Sequence, residues 1–288
     1  MERDVLALIS DECIHYSKGQ RQIAKYIIEN YDKAAFMTAG KLGKSVGVSE
    51  STVVRFAAEL GYDGYPGMRK ALQEMVRNRL TSVQRIEVAK ELIDDTNVLK
   101  TVLSSDIEKL QKTIEDIDQE SFDAAVCAII NAKHVYIASL RSSAALGYFT
   151  GYYMNLLRDN VYLLHDTAAG EIDEQILRIG PGDIFVGISY PRYSSRTVKA
   201  MRFAKEAGAA TLGITDGKAS PLAELSDIIL FARSDMVSFL DSLVAPLSLI
   251  NALIVSIGIH KQDELSETFK RLEKIWAVNE VYEHTDER

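Results

Sequence analysis

The chain has 288 residues, of which 47% are apolar and 26% are charged, and its formal net charge is -8 at pH 7. This length exceeds one typical domain, and the apolar content can fill sizeable cores, so a single small domain is excluded and two soluble domains are expected. Taken alone, the negative charge argues against nucleic-acid binding.

The first residues, MERDVLALISDE, contain too many acidic side chains and too short an apolar run for a signal peptide. Cys13 and Cys127 lie far apart in the sequence, each in helical, apolar surroundings. This placement predicts reduced core residues rather than a disulfide or a metal-binding pair. We therefore expect a cytoplasmic protein.

Charge is distributed unevenly along the chain. From Lys18 to Arg79 there are eleven Lys or Arg and six Asp or Glu, a balance of +5, so the remaining residues carry -13. Phosphate binding needs a local positive potential. A basic end on an acidic body is therefore typical of a DNA-binding domain joined to a module with another task.

Residues 40–65, GKLGKSVGVSESTVVRFAAELGYDGY, have the pattern of a helix-turn-helix. Gly47 separates a short helical run, Ala39 to Val46, from a second helix, and glycine tolerates the positive φ that a sharp turn needs. Ser49 is a good N-cap and Gly61 a good C-terminal stop, which predicts a second helix over residues 50–60.

The second helix has one apolar and one polar face. Its predicted buried residues recur at helical spacing and are Val53, Phe56, Ala57 and Leu60. On the polar face Arg can bind guanine, hydroxyl groups can reach phosphates or bases, and lysines of the preceding helix can meet phosphate. The predicted DNA-binding residues are Lys41, Lys44, Ser49, Ser51, Thr52 and Arg55. The alternative is an ordinary helical hairpin with a solvated polar face.

Residues 17–72 resemble the N-terminal domain of the RpiR family of bacterial transcriptional regulators. The most specific matches are QIAKYIIEN, VGVSESTVVRF and LGYDGYPGMR, in that order and at the family's spacing. The resemblance implies that Ser51, Thr52 and Arg55 lie on a recognition helix, followed by a turn that contains Tyr62 and Tyr65. Those tyrosines could equally be core residues, and we predict a core position for at least one.

From Thr81 to about Asn131 apolar residues recur every three or four positions without Gly or Pro, which predicts helices that join the domains. After Asn131, five β-branched runs alternate with helical segments: HVYIAS, VYLLH, DIFVGIS, ATLGIT and DIILFA. This alternation predicts a parallel sheet with helices on both faces. Ligands of such folds bind at the carboxyl ends of the strands, which nominates residues 139–143, 189–197 and 215–220.

Residues 130–260 resemble a sugar isomerase (SIS) domain, the usual C-terminal partner of the RpiR DNA-binding domain, most recognisably in ITDGKASPLAELSDIIL. The predicted fold is an all-α N-terminal helix-turn-helix domain joined by helices to an α/β SIS-type domain with a five-stranded parallel sheet. The predicted boundaries are 1–80 for the DNA-binding domain, 81–130 for the helical linker and 131–288 for the SIS-like domain with its C-terminal helices.

SIS domains hold the phosphate of a sugar phosphate with two loops that resemble GxGxS and SxSGxT. By this resemblance Ser143 matches the serine of the first loop, and Ser189, Ser194 and Thr197 match the second. The chain departs from both patterns: Ser139 and Arg141 stand where the two glycines would be, Ser195 replaces a third, and YPRY at 190–193 is an insertion.

These departures add bulk, and they restrict φ at positions where glycine is usual, so the backbone would cradle a phosphate differently. Arg141 and Arg192 supply guanidinium groups that bind carboxylates or phosphates bidentately. We expect an anionic effector, a phosphosugar or a carboxylate, bound by Ser139, Arg141, Ser143, Ser189, Arg192, Ser194 and Thr197. Alternatively, one arginine pairs with Asp166, Glu171 or Asp173.

An isomerase is the main alternative function, because His165, Asp166, Glu171 and His260 could move protons. No nucleophile elbow, P-loop or metal-ligand spacing is found in the sequence, so we predict neither a cofactor nor catalysis. With a DNA-binding domain attached, sensing is expected rather than turnover. The other alternative is a metabolite-binding module without operator function.

One short recognition helix contacts few bases, so specific binding to double-stranded operator DNA needs two copies on half-sites about 10 bp or a multiple apart. We therefore predict at least a homodimer. Its predicted contacts involve the SIS helices and an apolar stripe after Asp263, formed by Leu265, Phe269, Leu272, Ile275 and Trp276. The alternative is that this stripe covers the domain's own sheet. Residues 242–259 are nearly free of charge but contain Pro246, Asn251 and Gly258, which favours a buried core helix over a membrane span.

Overall fold

The computed structural model describes residues 5–10, 16–77, 80–92, 97–166, 171–235 and 240–282. The chain divides into two units, the first formed by residues 1–103 and 236–241 and the second by residues 104–235 and 242–288. The chain therefore passes between the units three times. The segment predicted as a linker, 81–130, contributes residues to both.

The first unit is helical. Its helices are α1 (Val5–Ile9), α2 (Lys18–Glu29), α3 (Tyr31–Ala34), α4 (Ala39–Val46), α5 (Glu50–Glu59), α6 (Gly64–Arg77) and α7 (Ser82–Leu92), and the boundary at residue 103 falls within α8 (Val98–Asp116). Their apolar faces enclose one core, in which Ile23, Leu42, Phe56, Met68 and Leu72 are fully buried.

Tyr65 belongs to this core. Its side chain is buried, and its hydroxyl donates a hydrogen bond to the Met37 carbonyl oxygen at 2.9 Å. Burial raises the pKa of Tyr65 to about 12, against a smaller lowering effect of the Arg69 charge. Tyr62 is only partly buried. The prediction of a core position for at least one of these tyrosines is confirmed.

A buried ion pair connects distant parts of the sequence within the first unit. The Arg85 guanidinium on α7 donates to the Asp241 carboxylate at 2.8 Å, and their side chains are only 6% and 10% exposed. Because buried charges require partners, residues 240 and 241 are held to the helices of this unit by more than chain connectivity.

The second unit contains the predicted sheet. Five parallel strands lie in the order β2-β1-β3-β4-β5: β1 (Val135–Ser139), β2 (Val161–Leu163), β3 (Ile184–Ile188), β4 (Ala210–Thr215) and β5 (Ile228–Phe231). Its remaining helices are α9 (Gln119–Asn131), α10 (Ala144–Leu157), α11 (Glu171–Gln175), α12 (Ser195–Glu206), α13 (Val244–His260) and α14 (Gln262–Val278).

Helices cover both faces of this sheet. Val135 and Ile137 of β1 join a core with α9, α10 and α13, whereas Tyr136 and Ala138 point to the opposite core with α11 and α12. Every residue of β1 and β3 is buried. These short, continuous apolar strands are the expected consequence of burial on two faces, and the predicted fold class is confirmed.

Helix α13 has a buried face formed by Leu249, Ile250, Leu253 and Ile257, as expected for a core helix. Within the described ranges, no single helix is long and apolar enough to span a membrane. Helices α13 and α14 pass that test only as a pair, and the pair is bent by 97°.

One expectation about packing is wrong, and one alternative does not hold. Cys127 is exposed, because the buried face of α9 is formed by Ala125, Val126 and Ile129, and Cys127 points away from it; Cys13 lies outside the described residues. The stripe on α14 does not cover the sheet: Leu265 packs against the core, but no α14 side chain is fully buried, and Ile275 is 52% exposed.

Candidate functional site

The turn between α4 and α5 requires two glycines. Gly47 has φ 75°, in the left-handed region, and ends α4. A Cβ on Gly43 would lie 2.8 Å from the Val48 carbonyl oxygen, so any larger residue would push the turn open. Ser49 then caps α5 by accepting a hydrogen bond from the Thr52 amide. These local constraints fix the angle between the two helices.

Helix α5 has the two faces that the sequence predicts. Val53, Phe56 and Ala57 are fully buried, while Ser51 and Arg55 are exposed. Thr52 is partly buried at the edge. The exposed face is therefore available to a partner, and no ion pair to Arg55 occurs among the described residues.

Three hydroxyl groups cluster at the start of α5. The Ser49 hydroxyl lies 2.9 Å from the Ser51 hydroxyl and 2.8 Å from the Thr52 hydroxyl. Lys41 and Lys44 are exposed on α4. The predicted DNA-binding residues thus occupy the outer sides of two adjacent helices. Val54, which is 40% exposed on α5, was not predicted; an exposed apolar residue beside Arg55 suits contact with a thymine methyl group.

A cleft of about 810 Å³ lies at the carboxyl ends of β1, β2 and β3 in the second unit. The strand order reverses between β1 and β3, and ligands of open parallel sheets bind at such switch points. The cleft is lined by Ser139, Leu140, Arg141, Ala144, Tyr148, Leu163, Leu164, His165, Asp166, Arg192, Tyr193, Ser194, Ser195 and Arg196.

The loop after β1 keeps a glycine-like backbone without glycine. Arg141 has φ 57°, so the arginine adopts the left-handed conformation that glycine would favour. Ser139 fits because Gly147 of α10 faces it: a Cβ on Gly147 would lie 2.6 Å from the Ser139 Cβ. The Ser139 hydroxyl donates to the Ser143 carbonyl oxygen at 2.5 Å. Arg141 therefore keeps the left-handed backbone in spite of the φ restriction that its side chain imposes.

The loop after β3 leads into the start of α12. Ser194 caps this helix by accepting from the Thr197 amide, and the Ser194 amide donates to the Ser189 hydroxyl at 3.1 Å. The Thr197 hydroxyl is buried, and no described residue forms a hydrogen bond with it. Ser143, Ser189 and Thr197 are buried and do not line the cleft, whereas Ser139, Arg141, Arg192 and Ser194 do.

The loop after β4 supports the cleft instead of lining it. The Thr215 hydroxyl donates to the Ser189 carbonyl oxygen at 2.8 Å, and the Tyr193 hydroxyl donates to Asp216 at 2.9 Å. Residues 215–220 were predicted to line the cleft, but the loop after β2 lines it instead. The reason is the strand order, because β2 lies beside β1 whereas β4 lies on the far side of β3.

The cleft wall is basic. It contains three arginines and one carboxylate, Asp166, which forms an ion pair with Arg196. Asp166 therefore neutralises an arginine that the sequence analysis did not single out, although Arg196 stands in the first turn of the helix that Ser194 caps. Arg141 lines the cleft without an ion pair to any described residue.

The candidate proton-transfer residues do not form one constellation. His165 and Asp166 line the cleft, but Asp166 is held by Arg196, and the His165 ring contacts Tyr148. The His260 ring lies at the end of α13, hydrogen-bonded to the Ser256 carbonyl oxygen, and is not among the residues that line the cleft. Within the described ranges, no group of three His, Cys, Asp or Glu side chains could hold a metal ion.

Family models match both parts of the chain. One described as a helix-turn-helix domain of the rpiR family matches residues 3–79, and one described as a SIS domain matches residues 128–256. The chain belongs to the RpiR family. It is a transcriptional regulator with a DNA-binding helix-turn-helix domain and a SIS domain.

Individual proteins are similar to this chain over most of their own length. The HTH-type transcriptional regulator HexR of Pseudomonas aeruginosa is 24% identical over 276 residues, which cover 94% of this chain and 95% of HexR. The sugar isomerase domain of an RpiR transcription factor from Sphaerobacter thermophilus is 29% identical, with TM-score 0.58. The match covers 60% of this chain and 96% of the chain in that structure. The Vibrio vulnificus NanR protein, solved in complex with ManNAc-6P, is 22% identical with TM-score 0.55. The match covers 95% of this chain and 98% of the NanR chain.

Proposed function

We propose that this RpiR-family regulator binds operator DNA through α5 and that a small anionic metabolite in the cleft, a phosphosugar, controls this binding. The observation that carries the proposal is the basic cleft at the switch point of a sheet that shares its chain with a helix-turn-helix domain. The NanR structure holds a phosphosugar, and its fold resembles this one. We place the protein in the cytoplasm, where it would meet both ligands.

On the DNA side, Arg55 would bind a base edge in the major groove, and the hydroxyl groups of Ser49, Ser51 and Thr52 would contact phosphates or bases. Lys41 and Lys44 of α4 would meet the phosphate backbone. The charge distribution supports this role, because residues 18–79 carry +5 in a chain of net charge -8. Because of these phosphate contacts, the affinity for DNA should fall steeply as the salt concentration rises.

On the effector side, the phosphate would lie at the start of α12. The first-turn amides and the positive end of the helix dipole attract anions there, and Ser194 and Ser195 line the cleft beside them. The Thr197 hydroxyl, which is buried and has no hydrogen-bond partner among the described residues, is a further donor at this helix start. A sugar would then extend toward the loop after β1.

We also propose a homodimer whose contacts use α10, α13 and α14 of the second unit. These helices line an apolar groove of about 450 Å³ that includes Tyr153, Leu157, Ile259, Leu265 and Phe269. Ile259 is 68% exposed, and α14 has no fully buried residue. Helices gain most of their stability from packing, so a second copy of the chain would cover the exposed apolar residues of this face.

The proposed function is tested by measuring DNA affinity with and without phosphosugars. Duplexes selected from a random-sequence pool would provide the operator, and fluorescence anisotropy would give its Kd. Arg55→Ala should weaken binding by about 1–3 kcal/mol, because it removes a base contact. Addition of glucose 6-phosphate, N-acetylmannosamine 6-phosphate or another member of a phosphosugar panel should change the wild-type Kd.

The matched control is Lys25→Ala, which removes an exposed cation that pairs with Glu29 on α2. It changes the net charge by the same amount and should leave the Kd for DNA nearly unaltered. Equal losses in the two variants would remove Arg55 from the interface. A chain that binds phosphosugars and converts them, as nuclear magnetic resonance would detect, without selecting any duplex would support the isomerase alternative instead.

A further inference from the structure

The part of α8 in the second unit is held there by polar side chains. Lys109 and Thr113 are buried. The Thr113 hydroxyl accepts a hydrogen bond from the Arg233 amide at 2.9 Å, and the Ser242 hydroxyl donates to the Asp106 carboxylate at 2.6 Å. An amphipathic helix usually turns its apolar side toward the protein. Here the buried contacts are made by hydrogen-bonding groups, so the apolar side is left for another use.

The apolar side chains of α8 are exposed to solvent. They recur every three or four positions, which places them along one side of the helix. Leu99, Leu103, Ile107 and Ile114 are each more than half exposed, and Leu110 is partly buried. We call these five residues the α8 stripe. Contiguous exposed apolar surfaces of this kind mark sites of interaction with another macromolecule.

The α8 stripe is complementary to itself. When two α8 helices lie antiparallel about a two-fold axis, Leu103 of each copy faces Ile114 of the other, and Ile107 faces Leu110. Every position of the stripe near the axis then meets a large apolar side chain. A contact that uses the same surface on both copies is the usual form of association between identical chains.

The charges at the two ends of the α8 stripe favour the antiparallel arrangement. Lys100 lies near the start of α8 and Glu115 near its end; both are exposed, and neither forms an ion pair with a described residue. Antiparallel pairing brings Lys100 of one copy close to Glu115 of the other, twice in each contact. Parallel pairing would instead place like charges side by side, which is unfavourable.

The size of the α8 stripe indicates when this contact forms. With a rise of about 1.5 Å per residue and a width of about 10 Å, the stripe measures about 220 Å², so pairing two copies would bury about 450 Å² in total. Interfaces that are stable in dilute solution bury about 1,200 Å² or more. The contact therefore needs chains that are already held close together, and DNA with adjacent binding sites holds them so.

We propose that the α8 stripe joins copies of this regulator that belong to neighbouring dimers on the same DNA, through an antiparallel contact between two α8 helices. Binding to adjacent operators is then cooperative. This inference rests on the proposed operator binding and adds a contact between dimers, separate from the proposed dimer face on α10, α13 and α14.

The test compares duplexes that carry one or two copies of the selected operator. Gel mobility shift with the full chain resolves duplexes with one and with two occupied sites. The wild type should fill the second site on the order of tenfold more tightly than independent binding allows. This gain should recur as the spacing between sites is lengthened in steps of about 10 bp, because both dimers must lie on the same side of the DNA.

Ile107→Glu places a charge in the α8 stripe, where pairing would bury it without a partner. The cooperative gain should fall to within about twofold, and the affinity for a single operator should stay unchanged. The matched control is Lys112→Gln, which changes the net charge equally on the same helix but outside the stripe, where Lys112 pairs with the exposed Glu108. It should keep the cooperativity of the wild type.

Exchange of the end charges tests the antiparallel arrangement. Lys100→Glu and Glu115→Lys should each weaken cooperativity, because each places like charges together across the contact. The double variant restores opposite charges and should recover the wild-type gain. Two single variants that lose cooperativity and a double variant that does not regain it would overturn the antiparallel contact.

The remaining outcomes separate this inference from the proposed function. A wild type that binds one operator tightly but fills two sites independently at every spacing would overturn the α8 contact and leave operator binding intact. Undiminished cooperativity in Ile107→Glu would also overturn it, because another surface would then join the dimers. If the wild type selects no duplex, the proposed function fails, and this inference fails with it.

Discussion

Tyr65, on the helix that follows α5, is both a core residue and a titrating group. Its ring is buried, its hydroxyl donates to the Met37 carbonyl oxygen at 2.9 Å, and burial raises its pKa to about 12. In the unfolded chain the phenol would lose its proton near pH 10. The folded state keeps the proton longer, so this residue makes unfolding easier as the pH rises from 10 to 12.

We expect Tyr65→Phe to remove this component of the pH dependence. Below pH 10 the variant should be less stable by about 1 kcal/mol, since the Met37 carbonyl loses its hydrogen bond. Between pH 10 and 12 the free energy of unfolding of the wild type should fall further than that of the variant, by up to about 2–3 kcal/mol. Urea unfolding followed by far-ultraviolet circular dichroism at a series of pH values measures both; parallel profiles would contradict the prediction.

For single residues, the sequence predicted burial and exposure better than backbone conformation. The exposed Ser51 and Arg55 and the buried Val53 and Phe56 follow from helical periodicity, which needs only local information. The left-handed conformation of Arg141 could not be predicted, because it is imposed by the loop between β1 and α10. Nor could the fit of Ser139 beside Gly147, which depends on how closely a helix packs against the end of a strand.

At the scale of elements, the sequence predicted the helices and strands well, because each carries its own cap or apolar run. It predicted that the loops after β1 and β3 line the cleft, but it named the loop after β4 in place of the loop after β2. That choice depends on strand order, and β2 lies beside β1 only because the chain reverses direction across the sheet after β2. Residues 215–220 therefore support the wall through Thr215 and Asp216 but do not line it.

A buried ion pair between Arg85 and Asp241 attaches α7 to a segment distant in the sequence. Removal of one partner leaves the other charge buried, so Arg85→Ala should destabilise the first unit by about 3–5 kcal/mol. The double variant Arg85→Met with Asp241→Leu should recover much of that loss, because it removes both charges and keeps apolar volume. Thermal unfolding and hydrogen exchange of the α7 amides would measure these changes.

The control for the ion pair is the exposed one between Lys25 and Glu29, whose side chains are 74% and 58% exposed. Water screens such a pair, so Lys25→Ala should change the free energy of unfolding by less than about 1 kcal/mol. A cost for Arg85→Ala no greater than for Lys25→Ala would mean that the buried pair contributes nothing to the first unit.

At the scale of the whole molecule, we expect a dimer. The proposed dimer face combines Ile259 and Phe269 with the helix α14, whose residues the second unit leaves largely exposed. We expect the wild type to sediment at twice the chain mass, and Ile259→Glu combined with Phe269→Glu to sediment at one chain mass, because charges on this face cannot be buried without partners.

Leu177→Glu is the matched control for the dimer. Leu177 is 71% exposed, and it follows α11, which covers the opposite face of the sheet from α13. This variant should remain dimeric in analytical ultracentrifugation. A wild type that sediments as one chain at micromolar concentration would exclude the proposed dimer, and operator recognition by paired half-sites with it.

The return of residue 241 to the first unit limits how this protein could be recombined. A chain cut once, after residue 103, would retain Arg85 but lose Asp241. A hybrid regulator made by a single crossover between relatives would likewise take Arg85 from one parent and its counterion from the other. The DNA-binding unit can therefore be transferred to another regulator only if that regulator has a carboxylate at the position of Asp241. Successful domain exchanges should then involve two matched segments of sequence rather than one.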